Sequence, residues 1–219
     1  MGRRVHRIAA RLTGSWVFWV AALGAAFAMP VVRSVRRDLP PPPPVLGQVP
    51  DFTFTDENGE PFSLADLRGK VWVADFIFTS CGTVCNTLTS QMAEVQYHTR
   101  NMLGYAELVS FSVDPARDTP AVLREFATRY NARAGTWHFL TGPVELIEQT
   151  VVDGFKIAMQ REATESPDFF QIVHGTRFVL VDHLGRIRGY YESSDEGIQE
   201  LLNAMGYIAG FEMPKSAFS

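Results

Sequence analysis

The sequence has only two cysteines in 219 residues. That is too few for a disulfide scaffold or for a four-cysteine zinc or iron–sulfur site. No Cys-x-x-Cys-His run occurs, which excludes c-type haem attachment. Positive charge is not in excess: 20 Lys and Arg stand against 24 Asp and Glu, a net charge of −4. A nucleic-acid partner held by bulk charge is therefore excluded. Internal repeats are absent. The remainder, 46% hydrophobic and 20% charged, is ordinary globular composition with room for one domain.

Both cysteines fall in one stretch, VWVADFIFTSCGTVCNTLTSQMAEVQ, residues 71–96. Val71 to Phe78 is apolar except for Asp75 and rich in β-branched and aromatic residues, as in a buried strand. Thr79-Ser80 breaks the run. From Thr83, Val84, Leu88, Met92 and Val95 recur at helical spacing. A strand thus delivers Cys81 and Cys85 to the first turn of a helix. Free N–H groups and the helix dipole favour thiolates there. The i, i+4 spacing puts both sulfurs on one helical face. That arrangement suits one soft metal ion or a reversible disulfide. As a purely stabilising disulfide it would close a very short loop and constrain the unfolded chain little.

Residues 1–14 carry four arginines and no acid, and residues 15–32 are uncharged and mostly apolar. This pattern predicts a transmembrane anchor with a cytoplasmic N-terminus. Ala26-Phe27-Ala28 offers a signal-peptidase-like alternative, and Arg33, Arg36 and Arg37 blunt the charge asymmetry. Either reading exports the rest of the chain to a compartment that permits disulfides. Residues 33–46 form a linker with five consecutive prolines, Pro40 to Pro44, a stiff tether about 15 Å long in extended form.

The folded domain is expected over 47–210, with 211–219 as a tail. Asp51 to Thr55 and Pro61 to Leu64 read as a hairpin about the turn Asp56-Glu57-Asn58-Gly59. Strands come next at Val71–Phe78, Glu107–Val113, Thr136–Leu140, Thr176–Val181 and Arg186–Tyr191, with an edge at Phe155–Gln160. Helices are expected from Thr83 to about Asn101, Ala121–Tyr130, Val144–Val151 and Glu196–Met205. Arg161–Asp168 reads as a polar loop. The order ββ, βα, βα, βα, ββ, α predicts an α/β fold, a central mixed sheet with helices on both faces. Ligands in such sheets sit at the C-terminal ends of strands. Cys81, Cys85, Asp114 and the loop before strand 176–181 are placed to converge there.

A two-thiolate site needs a third donor, and the sequence has five histidines. His6 is in the basic tail. His98 lies more than three turns past Cys85. His138 is within a strand and suits a core position, and His183 is in a turn at the far end of its strand. His174, where a loop leads into a central strand, is best placed to ligate; a capping or partly buried histidine is the alternative.

Four stretches resemble the Sco/SenC family of copper-binding cytochrome c oxidase assembly proteins. They are Phe78-Thr-Ser-Cys81-Gly-Thr-Val-Cys85, Ser110-Phe-Ser-Val-Asp114-Pro-Ala-Arg-Asp118-Thr-Pro120, Thr136-Trp137-His-Phe-Leu-Thr-Gly142, and Val173-His174 ahead of an apolar strand ending at Asp182. The similarity runs from about residue 48 to 207. It departs from the family at Gly82 and Asn86, where prolines are usual, and at Val173 and Gly175 around the histidine. The resemblance implies a thioredoxin-like fold, with Cys81, Cys85 and His174 as ligands of Cu(I) or Cu(II). It places Asp114 nearby as an extra oxygen ligand or tuning group; a turn-former ahead of Pro115 is the alternative.

The implied function is a membrane-tethered copper chaperone that serves the binuclear copper centre of a terminal oxidase subunit. Its domain would lie on the periplasmic or extracytoplasmic side of a bacterial-type inner membrane, in contact with other copper chaperones or a thioredoxin-like reductant. The alternative is a thiol–disulfide oxidoreductase, with Cys81 and Cys85 as a redox pair that keeps the oxidase subunit's copper ligands reduced. A peroxidase is weaker, because no Thr-x-x-Cys precedes either cysteine.

Overall fold

In the computed structural model, the described residues are 16–35, 41–80, 84–102, 104–157, 159–161, 170–172 and 177–214. The chain divides into two compact units, Met1–Pro41 and Pro42–Ser219. The first contains one helix, α1 (Trp16–Val35), which runs past the uncharged stretch and takes in Arg33. Among the described residues no helix is long and apolar enough to cross a membrane.

The second unit begins with strand β1 (Gly47–Gln48) and the hairpin of β2 (Thr53–Thr55) with β3 (Pro61–Ser63). Its turn is built as the sequence predicts. The Asp56 carboxylate accepts from the Asn58 and Glu60 N–H groups, both at 2.8 Å, and Gly59 takes a φ of +86°, which a side chain would strain. Then come β4 (Val71–Ile77), α2 (Val84–Thr99), β5 (Ala106–Ser112), α3 (Pro120–Arg129), β6 (Trp137–Leu140) and α4 (Val144–Glu148). Two short strands, β7 (Met159–Arg161) and β8 (Phe170–Ile172), pair with each other. Next are β9 (Arg177–Val181), β10 (Arg186–Glu192) and α5 (Asp195–Tyr207).

Six strands form one mixed sheet in the order β1-β10-β9-β4-β5-β6. β4 lies parallel to β5, and β5 to β6; β9 runs antiparallel to β4. Every residue of β4 and of β5 is buried, as expected of central strands covered on both faces. Side-chain alternation divides the core. Val71, Val73 and Ile77 pack with Leu88, Met92 and Val95 of α2 and with Ile198 and Leu201 of α5. Trp72, Ala74 and Phe76 pack on the other face with Phe52, Phe54 and Phe155. The expected α/β architecture with a mixed sheet and helices on both faces is thus observed.

Three local expectations change. The helix expected over 144–151 is α-helical only to Glu148. It widens into a looser turn, Gln149–Gly154, which delivers Phe155 to the core against Trp72 and Phe76. The edge strand expected at Phe155–Gln160 is shifted to Met159–Arg161, because Phe155 is held by that turn. The polar loop expected at Arg161–Asp168 begins with a strand residue, and 162–169 lie outside the described residues. Part of the expected tail is also ordered: Met213 is buried, and Glu212 joins a charge cluster on β10.

In that cluster, buried Arg188 donates to Asp182 Oδ2 at 2.9 Å and to both Glu212 oxygens at 2.6 and 2.7 Å. Its Nη2 also donates to the Pro43 carbonyl, so one guanidinium joins the proline linker, β10 and the C-terminal segment. Arg188→Met leaves the fully buried Asp182 with Arg186 as its remaining cation. Urea unfolding of that variant should show a loss of about 3 kcal/mol, in the range for breaking a buried pair by removing one partner.

Candidate metal centre

The C-terminal ends of β4 and β5 form the edge at which the sequence places the candidate site. Ile77 pairs with Ser112, and the Val113 N–H continues the ladder by donating to the Ile77 carbonyl at 2.8 Å. After β5 the chain turns sharply: the Asp114 carbonyl accepts from the N–H groups of Arg117 and Asp118 at 3.1 and 2.9 Å. Thr119 then caps α3 by accepting from the Val122 N–H.

That turn aims Asp118 back at the exit of β4. Asp118 is fully buried. Its carboxylate accepts from the Ser112 hydroxyl, the Thr79 hydroxyl and the Thr79 N–H, the last at 3.2 and 3.3 Å. Burial pushes the Asp118 carboxyl above its ordinary value, and the charge of Asp114 adds to this; the Ser112 and Thr79 hydrogen bonds oppose it. Thr79 stands two residues before Cys81. One carboxylate therefore fixes where the backbone leaves the sheet for the thiol loop.

Cys85 is the second residue of α2, on the first turn as the sequence predicts. Cys81 and His174 lie outside the described residues. β9 begins, at Arg177, on the sheet edge where β4 ends, because the two strands are antiparallel; His174 is three residues upstream. Asp114 sits at this same edge, 2% exposed. Its Oδ2 accepts from Arg117 Nη1 at 3.0 Å, and its N–H donates to the Ser112 hydroxyl. Asp114 thus forms the turn through its carbonyl, and its carboxylate is ion-paired. Asn86 accepts from the Tyr130 hydroxyl at 2.8 Å and ties the first turn of α2 to the end of α3.

The roles of two buried carboxylates escape sequence reasoning. Asp118 is one; its place in the Asp-Pro-x-x-Asp-Thr-Pro run was the available signal. The other is Asp75. It is fully buried, and alternation puts it on the face of β4 that packs against α2. Burial lifts its pKa from 3.8 to about 7. The hydroxyl of Ser110, the residue's register partner on β5, and the Asp75 backbone pull the other way. That hydroxyl does not meet hydrogen-bond geometry, and among the described residues neither Asp75 oxygen has a partner, so burial decides.

A parallel-centred mixed sheet that presents a cysteine on the first turn of the helix after its central strand defines a thioredoxin-like domain. Comparison with known proteins sharpens that class. The SCO1/SenC family model matches residues 45–208. A SCO1 protein homolog of Bacillus subtilis is 36% identical over 145 residues, covering 66% of this chain and 73% of its own. A Stutzerimonas stutzeri protein named for copper binding is 31% identical over 161 residues, covering 70% of this chain and 74% of its own. Among solved structures, BsSco is described as a member of the Sco family of cytochrome c oxidase assembly proteins with a disulfide switch. It superposes with a TM-score of 0.65 at 31% identity, covering 78% of this chain and 98% of its own. The chain belongs to the SCO1/SenC family.

Asp75 generates a pH prediction. Its folded pKa lies above the unfolded value, so its contribution is intact below about pH 4, declines as pH rises, and is lost by about pH 7. The rise from 3.8 to about 7 corresponds to at most about 4 kcal/mol. Asp75→Asn should remove this slope: its urea midpoint should change less than the parent's between pH 4.5 and 8, and it should be the more stable protein at pH 8.

Proposed function

We propose that this chain is a membrane-tethered copper chaperone. It delivers copper to the binuclear copper centre of cytochrome c oxidase during assembly of the respiratory complex. The observation that carries the reading is the shared sheet edge. The exit of β4, the first turn of α2 bearing Cys85, the Asp114–Asp118 turn and the start of β9 all lie there. Cys81 and His174 adjoin these segments in sequence. Cys81, Cys85 and His174 are the copper ligands. Two soft thiolates select Cu(I), an imidazole completes a three-coordinate site, and an added oxygen donor accommodates Cu(II). Asp114 serves as the tuning group, since its carboxylate is already paired with Arg117. Ligation requires deprotonated thiols, so copper loading and thiol oxidation are linked. The name of the Stutzerimonas relative supports copper, and the description of BsSco supports oxidase assembly.

Residues 1–14 are a basic cytoplasmic segment, 15–32 the anchor, 33–46 the proline-rich tether and 47 onward the copper-binding domain, which takes in Glu212 and buried Met213 beyond the limit of 210 expected from the sequence. The uncharged, mostly apolar run 15–32 of the sequence, preceded by four arginines, supports the anchor and an extracytoplasmic domain at a bacterial-type inner membrane. The partners are the copper-bearing oxidase subunit and a donor of copper or reductant.

A second reading is thiol–disulfide oxidoreduction by Cys81 and Cys85. It draws on the strand–thiol–helix layout and on the disulfide switch described for BsSco. The two readings separate at His174. Chelator competition with the reduced protein should show one Cu(I) per chain. His174→Ala should weaken binding by at least the roughly 10–100-fold that loss of an outer-shell partner costs. Copper binding indifferent to His174, alongside an unchanged rate of thiol exchange with a model disulfide, would reject the chaperone in favour of the reductase.

A further inference from the structure

A second group of metal-capable side chains lies on the face of the sheet opposite α2. The β2–β3 hairpin docks on the end of β6 through reciprocal hydrogen bonds between Thr55 and Thr141, at 2.8 and 2.9 Å. This brings its turn against His138 of β6. Donor atoms of Asp56, Glu57 and His138 all lie within 4.8 Å of one another. The hairpin turn and β6 are far apart in sequence, so the fold builds the group and no local motif does.

The surroundings are those of a metal site. Glu57 and Asp56 are buried, yet each carboxylate keeps lone pairs to spare. Asp56 Oδ2 has one long contact, from Asn58 Nδ2 at 3.3 Å. Glu57 Oε1 accepts from the same amide at 3.0 Å, and Oε2 from the Phe139 N–H at 3.0 Å. His138 is held by the Phe62 ring, with centroids 4.4 Å apart. Its Nε2 faces Glu107 Oε2 at 3.5 Å, and its buried Nδ1 has no hydrogen-bond partner among the described residues. Glu107 is 5% exposed, and that Oε2 likewise has no hydrogen-bond donor among them. A carboxylate behind one ring nitrogen, with the other left free, is the arrangement that orients metal-bound histidines.

Charge points the same way. Asp56, Glu57 and Glu107 are three buried carboxylates. Among the described residues only Glu107 is paired with a lysine, Lys70, while Arg124 donates Nε–H to the Glu57 carbonyl and not to a carboxylate. A buried excess of negative charge beside an unpartnered imidazole nitrogen favours a bound cation. Two carboxylates and an imidazole, without sulfur, suit a borderline divalent ion that takes mixed nitrogen and oxygen donors. The small exposed part of His138, 13% of its side chain, leaves a way in from solvent.

We propose that Asp56, Glu57 and His138 form a second divalent-cation site, of zinc type, oriented by Glu107 and separate from the thiol centre. The site staples the β2–β3 hairpin to the edge of the sheet. The probe is Zn²⁺ alone, added to the full chain carrying Cys81→Ser, Cys85→Ser and His174→Ala, so that the thiol centre contributes nothing. One zinc per chain should bind, with zinc-edge absorption showing one imidazole, oxygen donors and no sulfur. Zinc should also raise the thermal midpoint by mass action. Adding His138→Gln, or separately Glu57→Gln, should weaken binding by about tenfold or more. Near-UV circular dichroism of each variant verifies the fold, and either folded variant suffices. Absence of stoichiometric zinc in the thiol-free chain would overturn the proposal. So would binding unchanged by both substitutions, which would mark the cluster as an ion-pair network only.

Discussion

The site edge depends on one buried carboxylate with three donors. Asp118 binds Ser112 at the end of β5 and both hydrogen-bonding groups of Thr79 at the exit of β4. Parallel pairing sets the two strands side by side, but it does not determine where the chain goes after the last ladder bond. The Asp118 contacts do, because a buried carboxylate without its donors costs several kcal/mol, and displacement of Thr79 would remove two of them. The turn that presents Asp118 is closed by the Asp114 carbonyl. Asp114 and Asp118 therefore act as one device that holds the strand exit leading to the thiols.

The central elements were legible from residue patterns alone. The buried run of β4 and the 88, 92, 95 stripe of α2 are strong because both elements are central and long enough to express their periods. Cys85 on a helical first turn came from the same patterns. Asp114 had two competing readings, turn-former or metal-site group. Its carbonyl closes the turn and its carboxylate pairs with Arg117, which is compatible with either reading.

What remained illegible depends on distance along the chain. Thr79, one of the two partners of Asp118, is 39 residues away, and Glu57 reaches Phe139 across 82 residues. β7 and β8 are three residues each, too short to show a period, and each is stabilised by pairing with the other. Phe155 reads as a strand residue because it is aromatic, yet a widened helical turn carries it into the core. His138 looked like a core histidine, and only the docking of the hairpin reveals its acidic neighbours. Buried charge thus occurs in three roles: Asp118 is satisfied by donors, Asp182 by guanidinium groups, and Asp75 has no partner among the described residues and holds its proton toward neutral pH.

The most direct test is the Cu(I) affinity of Asp118→Ala, measured by chelator competition on reduced protein whose circular dichroism matches the parent's. Asp118 is assigned no contact with the metal and acts only through the backbone that leads to the thiols. Its removal should weaken binding by about 10–100-fold, the usual cost of losing an outer-shell partner, with the stoichiometry still one. Parent-like affinity in the folded variant would contradict the claim that this carboxylate positions the copper site.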